Sequence, residues 1–207
     1  TIGTGAFRDC TNITSMVIPN SVSVLANEVF IGCISLRSIR LSAQLTQIGA
    51  RTFQSCVALQ QLTIPTRVKT IGQAAFYNCS SLTSLVVPSS VTTLGPEVFR
   101  LCTSLQQVVI RGASSISSRM FESCSSLSNV TILSKTMNDI GDYAFYHCTS
   151  LQSFAIPSTV SSIGVSAFDG CTSLQKITIP SSVSVISAYA FADCVSLQCI
   201  EGNMEAV

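Results

Sequence analysis

Residues 151–171, LQSFAIPSTVSSIGVSAFDGC, set the rhythm of the whole chain. Each feature of this stretch returns about 23 residues earlier and later. Its Phe168 belongs to a periodic set of nine (Phe7, Phe30, Phe53, Phe76, Phe99, Phe121, Phe145, Phe168 and Phe191), spaced by 23 residues with one interval of 22 and one of 24. Three residues after each stands a cysteine: Cys10, Cys33, Cys56, Cys79, Cys102, Cys124, Cys148, Cys171 and Cys194. A unit this short cannot bury its own apolar face, so it must stack on copies of itself, and the stack supplies the core.

Within the unit the apolar residues at offsets 6, 9 and 11 from Phe include Leu82, Leu85 and Val87, and Leu174, Ile177 and Ile179. The alternation at offsets 9 and 11 is that of a strand with one buried side. The residue between them faces outward, and its occupants run Val17, Arg40, Thr63, Val86, Val109, Thr131, Ala155, Thr178 and Glu201. Proline at offset 12 in five units (Pro19, Pro65, Pro88, Pro157 and Pro180) has no amide hydrogen for a ladder, so the strand stops there. The Ile-Gly pairs that follow, such as Ile71-Gly72, read as a bend with unusual backbone angles. Proline and acid in Gly95-Pro96-Glu97-Val98-Phe99 sit where the first turn of a helix wants them. The pattern therefore predicts a short α or 3₁₀ segment around each Phe and a parallel sheet along the other face. The expected fold is an α/β repeat solenoid of about nine turns of 22–24 residues, a single domain over 1–207. Because Thr1-Ile2-Gly3 opens in mid-unit, the chain reads as a piece of something longer.

The run Leu-x-x-Ile-x-Ile-Pro-x-x-Val-x-x-Ile-Gly-x-x-Ala-Phe-x-x-Cys, seen almost whole from Leu151 to Cys171, resembles the BspA-like, or treponemal-type, leucine-rich repeats. The resemblance implies a curved, right-handed leucine-rich-repeat superhelix whose parallel sheet lines one face. It further implies a protein-binding module of the kind found on bacterial and protist surfaces, several relatives being regarded as adhesins. The sequence departs from the general leucine-rich pattern in lacking the asparagine after the strand: positions 21, 44, 67 and 90 hold Ser, Gln, Arg and Ser.

Ten cysteines invite a disulfide framework, but nine share one offset. They should form a column at the roughly 4.8 Å strand spacing with parallel side chains, whereas a disulfide needs Cβ atoms roughly 3.5–4.5 Å apart and turned toward each other. The column reads as small, reduced, buried side chains. Cys199 lies off the column at an outward strand offset and reads as an accessible thiol.

Charged residues make only 10% of the chain, against about 25% in an ordinary domain, so solubility rests on 53 serines and threonines. The net charge of +1 gives no reason to propose nucleic acid or an anionic membrane as partner. No apolar stretch of about 20 residues is present, so no transmembrane segment is expected. The charges are sorted by face. Arg37, Arg40, Arg111 and Lys176 against Glu201 leave the strand offsets mildly basic, while the residues near each Phe are mildly acidic.

Chemistry is not expected. The sole histidine, His147, adjoins Cys148, but the cysteine should point inward and the histidine outward. Cysteines at one per turn lack metal-ligand spacing, and no glycine-rich phosphate loop appears. The expectation is therefore no enzyme, no metal and no cofactor. What remains is a surface presented on a rigid support. The outward strand positions Arg40, Gln61, Thr63, Val86, Gln107, Val109, Arg111, Thr131 and Lys176 are the candidate partner-binding residues, with the outward apolar pair Val86 and Val109 at the centre. The alternative is a scaffold component joined through its ends or its acidic face. Sequons at Asn12, Asn78 and Asn129 are weak in a chain so rich in Ser and Thr. The 22- and 24-residue intervals, with Arg111-Gly112-Ala113 and Leu133-Ser134-Lys135 in place of the proline motif, predict local irregularity there.

Overall fold

A computed structural model describes residues 1–202; residues 203–207 of the expected 1–207 span lie outside the described residues. The chain coils into rungs that stack in parallel register, residue i beside residue i + 23 over most of its length, as in Ser15 beside Ser38 and Thr70 beside Thr93. Two rows of strands result. The first holds the longer strands, among them Ser38–Arg40, Ser84–Val87, Gln107–Ile110, Asn129–Ile132 and Lys176–Ile179, each burying alternate residues. The second is a ladder of eight two-residue strands, one per coil, such as Gln47–Ile48, Thr70–Ile71 and Thr93–Leu94. It occupies the Ile-Gly region that the sequence had marked only as a bend.

The glycines there act by close approach and not by unusual angles. A Cβ built on Gly72 would sit 2.5 Å from the Ala50 nitrogen, and one on Gly95 would sit 2.5 Å from the Gln73 nitrogen. Consecutive rungs touch backbone to backbone at this corner, and neither glycine has positive φ.

The third side corrects the expectation of helices: it consists of turns. Positive φ falls two residues before and two residues after each of the nine periodic Phe, as at Ala74 (52°) and Asn78 (55°), Glu97 (60°) and Leu101 (62°), and Ser166 (50°) and Gly170 (71°). A right-handed helix cannot pass through such residues. Their amides are committed elsewhere, because Glu97, Phe99 and Leu101 donate to the carbonyls of Ser118, Met120 and Glu122 on the next rung. Within a rung the bonds that close are i→i+3, such as Arg100 N–H to Glu97 and Cys102 N–H to Phe99, or i→i+2, such as Thr103 N–H to Leu101. Proline and acid before Phe suit a tight turn as well as a helix, which is why the local signals did not discriminate. Each non-glycine residue in this conformation costs about 1–2 kcal/mol, offset by an inter-rung ladder that satisfies the backbone over the whole side.

Apolar residues from Ile18 to Cys194 form one continuous cluster inside the coil. Its axis is the file of nine Phe rings, stacked at centroid distances of 5.0–5.7 Å and tilted by at most 13°. Beside it runs the cysteine file. Every thiol from Cys33 to Cys194 donates to the Phe carbonyl of the preceding rung at 3.0–3.2 Å, as Cys102 does to Phe76. The same carbonyl accepts the amide of its own rung's cysteine. Cysteine here is thus a small buried donor as well as a space-filler, which ties the Phe and Cys positions together. Burial raises the thiol pKa along the file, to about 12 at Cys102 and well above the ordinary thiol value at Cys79 and Cys124.

The two odd intervals each break one ladder. In the second row, pairing lapses between Thr93–Leu94 and Ser115–Ile116; in the first row, between Asn129–Ile132 and Ser153–Ala155. Phe99, Phe121 and Phe145 nevertheless stack without interruption, at 5.5 and 5.2 Å. The loops absorb the change, with Ala113 taking positive φ (66°).

Candidate functional site

The first strand row has another gap that no change of repeat length announces. The rung Gln61–Ile64 forms no strand, and a single bridge from Gln61 to Ser38 is its part in the ladder. Thr63 and Ile64 enter no inter-rung backbone hydrogen bond. Where the ladder opens, a groove of about 640 Å³ lies along the sheet face, running from this rung across Ser84–Val87 to Gln107–Ile110. Buried Leu62, Ile64 and Leu85 support it from beneath. Val86, 50% exposed, and half-buried Val109 stand side by side on adjacent strands, in direct register. Pro88 ends the Val86 strand and closes one wall, with Arg111 beside it.

Six of the nine candidate residues line this groove: Gln61, Thr63, Val86, Gln107, Val109 and Arg111. The other three do not. Arg40 lies in a separate shallow depression with Met16, Val17 and Ile39, two rungs before Val86 in the same outward column. Thr131 continues the column beyond Val109, half-buried and bonded to Asn129. Lys176 sits near the far end of the row, its ammonium 2.6 Å from Glu201. That pairing raises the lysine pKa and lowers the glutamate's.

A second cavity continues the first around the corner of the coil. It shares Ser89 and Arg111 with the first groove and adds Leu133, 52% exposed, and Lys135. These residues come from the irregular loops of the odd-length coils. Arg111 therefore stands where the two grooves meet.

The charge pattern is sharper than composition conveys. On the Phe side the arginines are held in ion pairs: Arg8 and Arg51 with Glu28, Arg100 with Glu97 and Glu122, and Arg119 with Glu122. Arg119 also lies 4.4 Å over the Tyr143 ring. Six cations remain, Arg37, Arg40, Arg67, Lys69, Arg111 and Lys135. All are exposed and have no acidic partner within ion-pair distance among the described residues. They occupy the sheet face and the corner leading off it, and the acids nearest in sequence belong to the Phe side or to the second row. Arg67, Lys69 and Lys135 were missed in the sequence because they sit at corner offsets outside the strand.

His147 is exposed and packs edge-on against Tyr146 at 4.1 Å, while the thiol of Cys148 is buried and bonded to the Phe121 carbonyl. The two face opposite ways and form no dyad. Cys199 is exposed at the start of the strand Cys199–Gly202.

The fold and its repeat unit have counterparts. A family model described as BspA type leucine rich repeat region (6 copies) matches residues 1–114 and 111–205. The chain belongs to the BspA-type leucine-rich-repeat family. Solved structures of the same architecture include a leucine-rich repeat protein from Bacteroides ovatus, with 30% sequence identity and a TM-score of 0.88 over 95% of this chain and 50% of that one. A leucine-rich repeat protein of T. pallidum shares 28% identity with a TM-score of 0.66, covering 83% of this chain and 69% of that one. A third, from Eubacterium ventriosum, shares 22% identity and a TM-score of 0.74, covering 87% of this chain and 58% of that one, and supports the fold alone. This BspA-type chain thus spans half the length of the Bacteroides ovatus protein. Among curated proteins none matches it. Among the described residues no helix is long and apolar enough to cross a membrane.

Proposed function

We propose that this BspA-type repeat is a protein-interaction module that binds its partner through the first strand row, as part of an adhesive or ligand-binding protein of the cell surface or extracellular space. One observation carries the reading: the outward pair Val86 and Val109 lines a groove at the only point where a rung of regular length leaves the first-row ladder among the described residues. Apolar side chains held outward on a rigid sheet, with polar groups around them, have the composition of an interface centre. On the Phe side, by contrast, the arginines are held in ion pairs with Glu28, Glu97 and Glu122, and the surplus of acids leaves that side mildly acidic. The surface location follows from the repeat pattern's resemblance to surface proteins.

The test is capture of purified secreted and cell-surface proteins on an array, by the intact chain and by its Val86→Glu/Val109→Glu variant. Both positions are on the surface, so stability should change by less than about 1 kcal/mol. Loss of capture at unchanged stability is expected. Equal capture by both proteins removes the sheet face as the binding site.

A further inference from the structure

The sorting of charge identifies the kind of partner the groove fits. We infer that the groove and the depression beside it along the sheet face receive an extended acidic segment of a protein partner, with carboxylates facing Arg40 and Arg111 and an aliphatic side chain between them on Val86 and Val109; this rests on the sheet face being the binding side.

Three observations converge. Arg111 stands beside Val109 in the groove and Arg40 lies outside it, two rungs before Val86 in the same column; both are exposed and without an acidic partner among the described residues, on a face whose remaining free charges are also positive. Arginines left unpaired beside an apolar surface are complementary to carboxylates, which they bind through two parallel N–H donors. The groove is apolar where Val86 and Val109 stand, which suits a branched aliphatic side chain and gives a uniformly charged polyanion nothing to bury. Finally, Thr63 lies in the opened rung with its backbone outside any inter-rung ladder, so an extended chain meets main-chain groups there as well as side chains.

Spacing sets the length of the segment. Arg40 and Val109 are three rungs apart in one column, and Arg111 lies two residues further along its rung. At roughly 4.8 Å per rung and about 3.3 Å per strand residue, the two arginines are roughly 16 Å apart, a distance that an extended peptide covers in about five residues. The segment is therefore an acid, then an aliphatic residue near the middle, then a second acid about five residues after the first.

The probe is a phage-displayed library of random dodecapeptides panned against the intact chain, with heparin as a second, sulfated probe. Enrichment of peptides with two acids about five residues apart around Leu, Ile or Val is expected. Their affinity should fall with added salt, by tenfold or more in Arg40→Glu/Arg111→Glu, and by less in Arg40→Gln/Arg111→Gln. Circular dichroism melting shows whether each variant is folded. Enriched peptides that lack acids, or no enrichment at all, would overturn the inference. So would retention of heparin at the same arginines without peptide enrichment, which would assign a sulfated polyanion instead. Peptides insensitive to the arginine variants but lost in Val86→Glu/Val109→Glu would refute only the acidic specificity, whereas insensitivity to both pairs refutes the binding face itself.

Discussion

Raising the pH should unfold this protein through its cysteine file. Cys56, Cys79, Cys102, Cys124, Cys148 and Cys171 have no exposed surface, and burial holds each thiol protonated in the native state. In the unfolded chain the same thiols ionise near 9. Above that value the unfolded state binds fewer protons than the native state, so stability falls as pH rises. The loss begins at the unfolded thiol pKa and ends at the folded one, about 12 for Cys102. One pH unit above the unfolded value each thiol removes about 1.4 kcal/mol. Six together remove roughly 8 kcal/mol, comparable with the whole stability of many domains. Urea unfolding followed by far-UV circular dichroism at about pH 7.5 and about pH 10 measures the difference. Cys102→Ala supplies the internal control: it should be less stable at neutral pH, yet lose about 1.4 kcal/mol less than the parent across the same interval. A stability that is flat between the two pH values, or a loss unchanged by removing Cys102, would refute the buried-thiol reasoning.

Other expectations follow from the same packing. Phe76→Ala leaves a void between Phe53 and Phe99, whose rings lie 5.4 and 5.7 Å from it, and should cost about 3–5 kcal/mol in urea unfolding; a cost under about 1 kcal/mol would place the ring outside the core. Ser123→Gly separates turn from helix. At a φ of 60° glycine should be neutral or stabilising by up to about 1 kcal/mol, whereas in a helix it would cost about that much. Iodoacetamide applied to the native protein should label Cys199 first and leave Cys79, Cys102 and Cys124 unmodified until urea is added. Labelling of those three at the rate of Cys199 would mean that the file opens in the native state.

The parts of the fold legible in the sequence are those fixed by side-chain identity. Phe and Cys recur because each fills the same slot and the thiol bonds to the Phe carbonyl, so their period gives the stacking directly. Alternation likewise placed Leu85 and Val87 inward and Val86 outward. What was misread is fixed by the backbone. Glu97 and Leu101 carry no mark of positive φ, and proline followed by an acid serves a turn as readily as a helix, so in sequence these turns look like helical segments. Gly72 advertised a bend when its role is to let two rungs touch. The candidate site was legible only in part. Val86, Val109 and Arg111 could be placed on one face by counting offsets. The opening at Gln61–Ile64 could not, because Leu62-Thr63-Ile64-Pro65 follows the consensus and its departure from the ladder depends on how neighbouring rungs seat against it. The six unpaired cations emerged only once ion-pair distances on the Phe side had removed the others.

The most direct test of the sheet-face account is hydrogen exchange of the intact chain with and without a panned peptide bound. Slowed exchange confined to residues 61–66, 84–89 and 107–111, with the Phe-side turns unchanged, is the predicted result. Slowed exchange on the Phe side with the groove unchanged would contradict it.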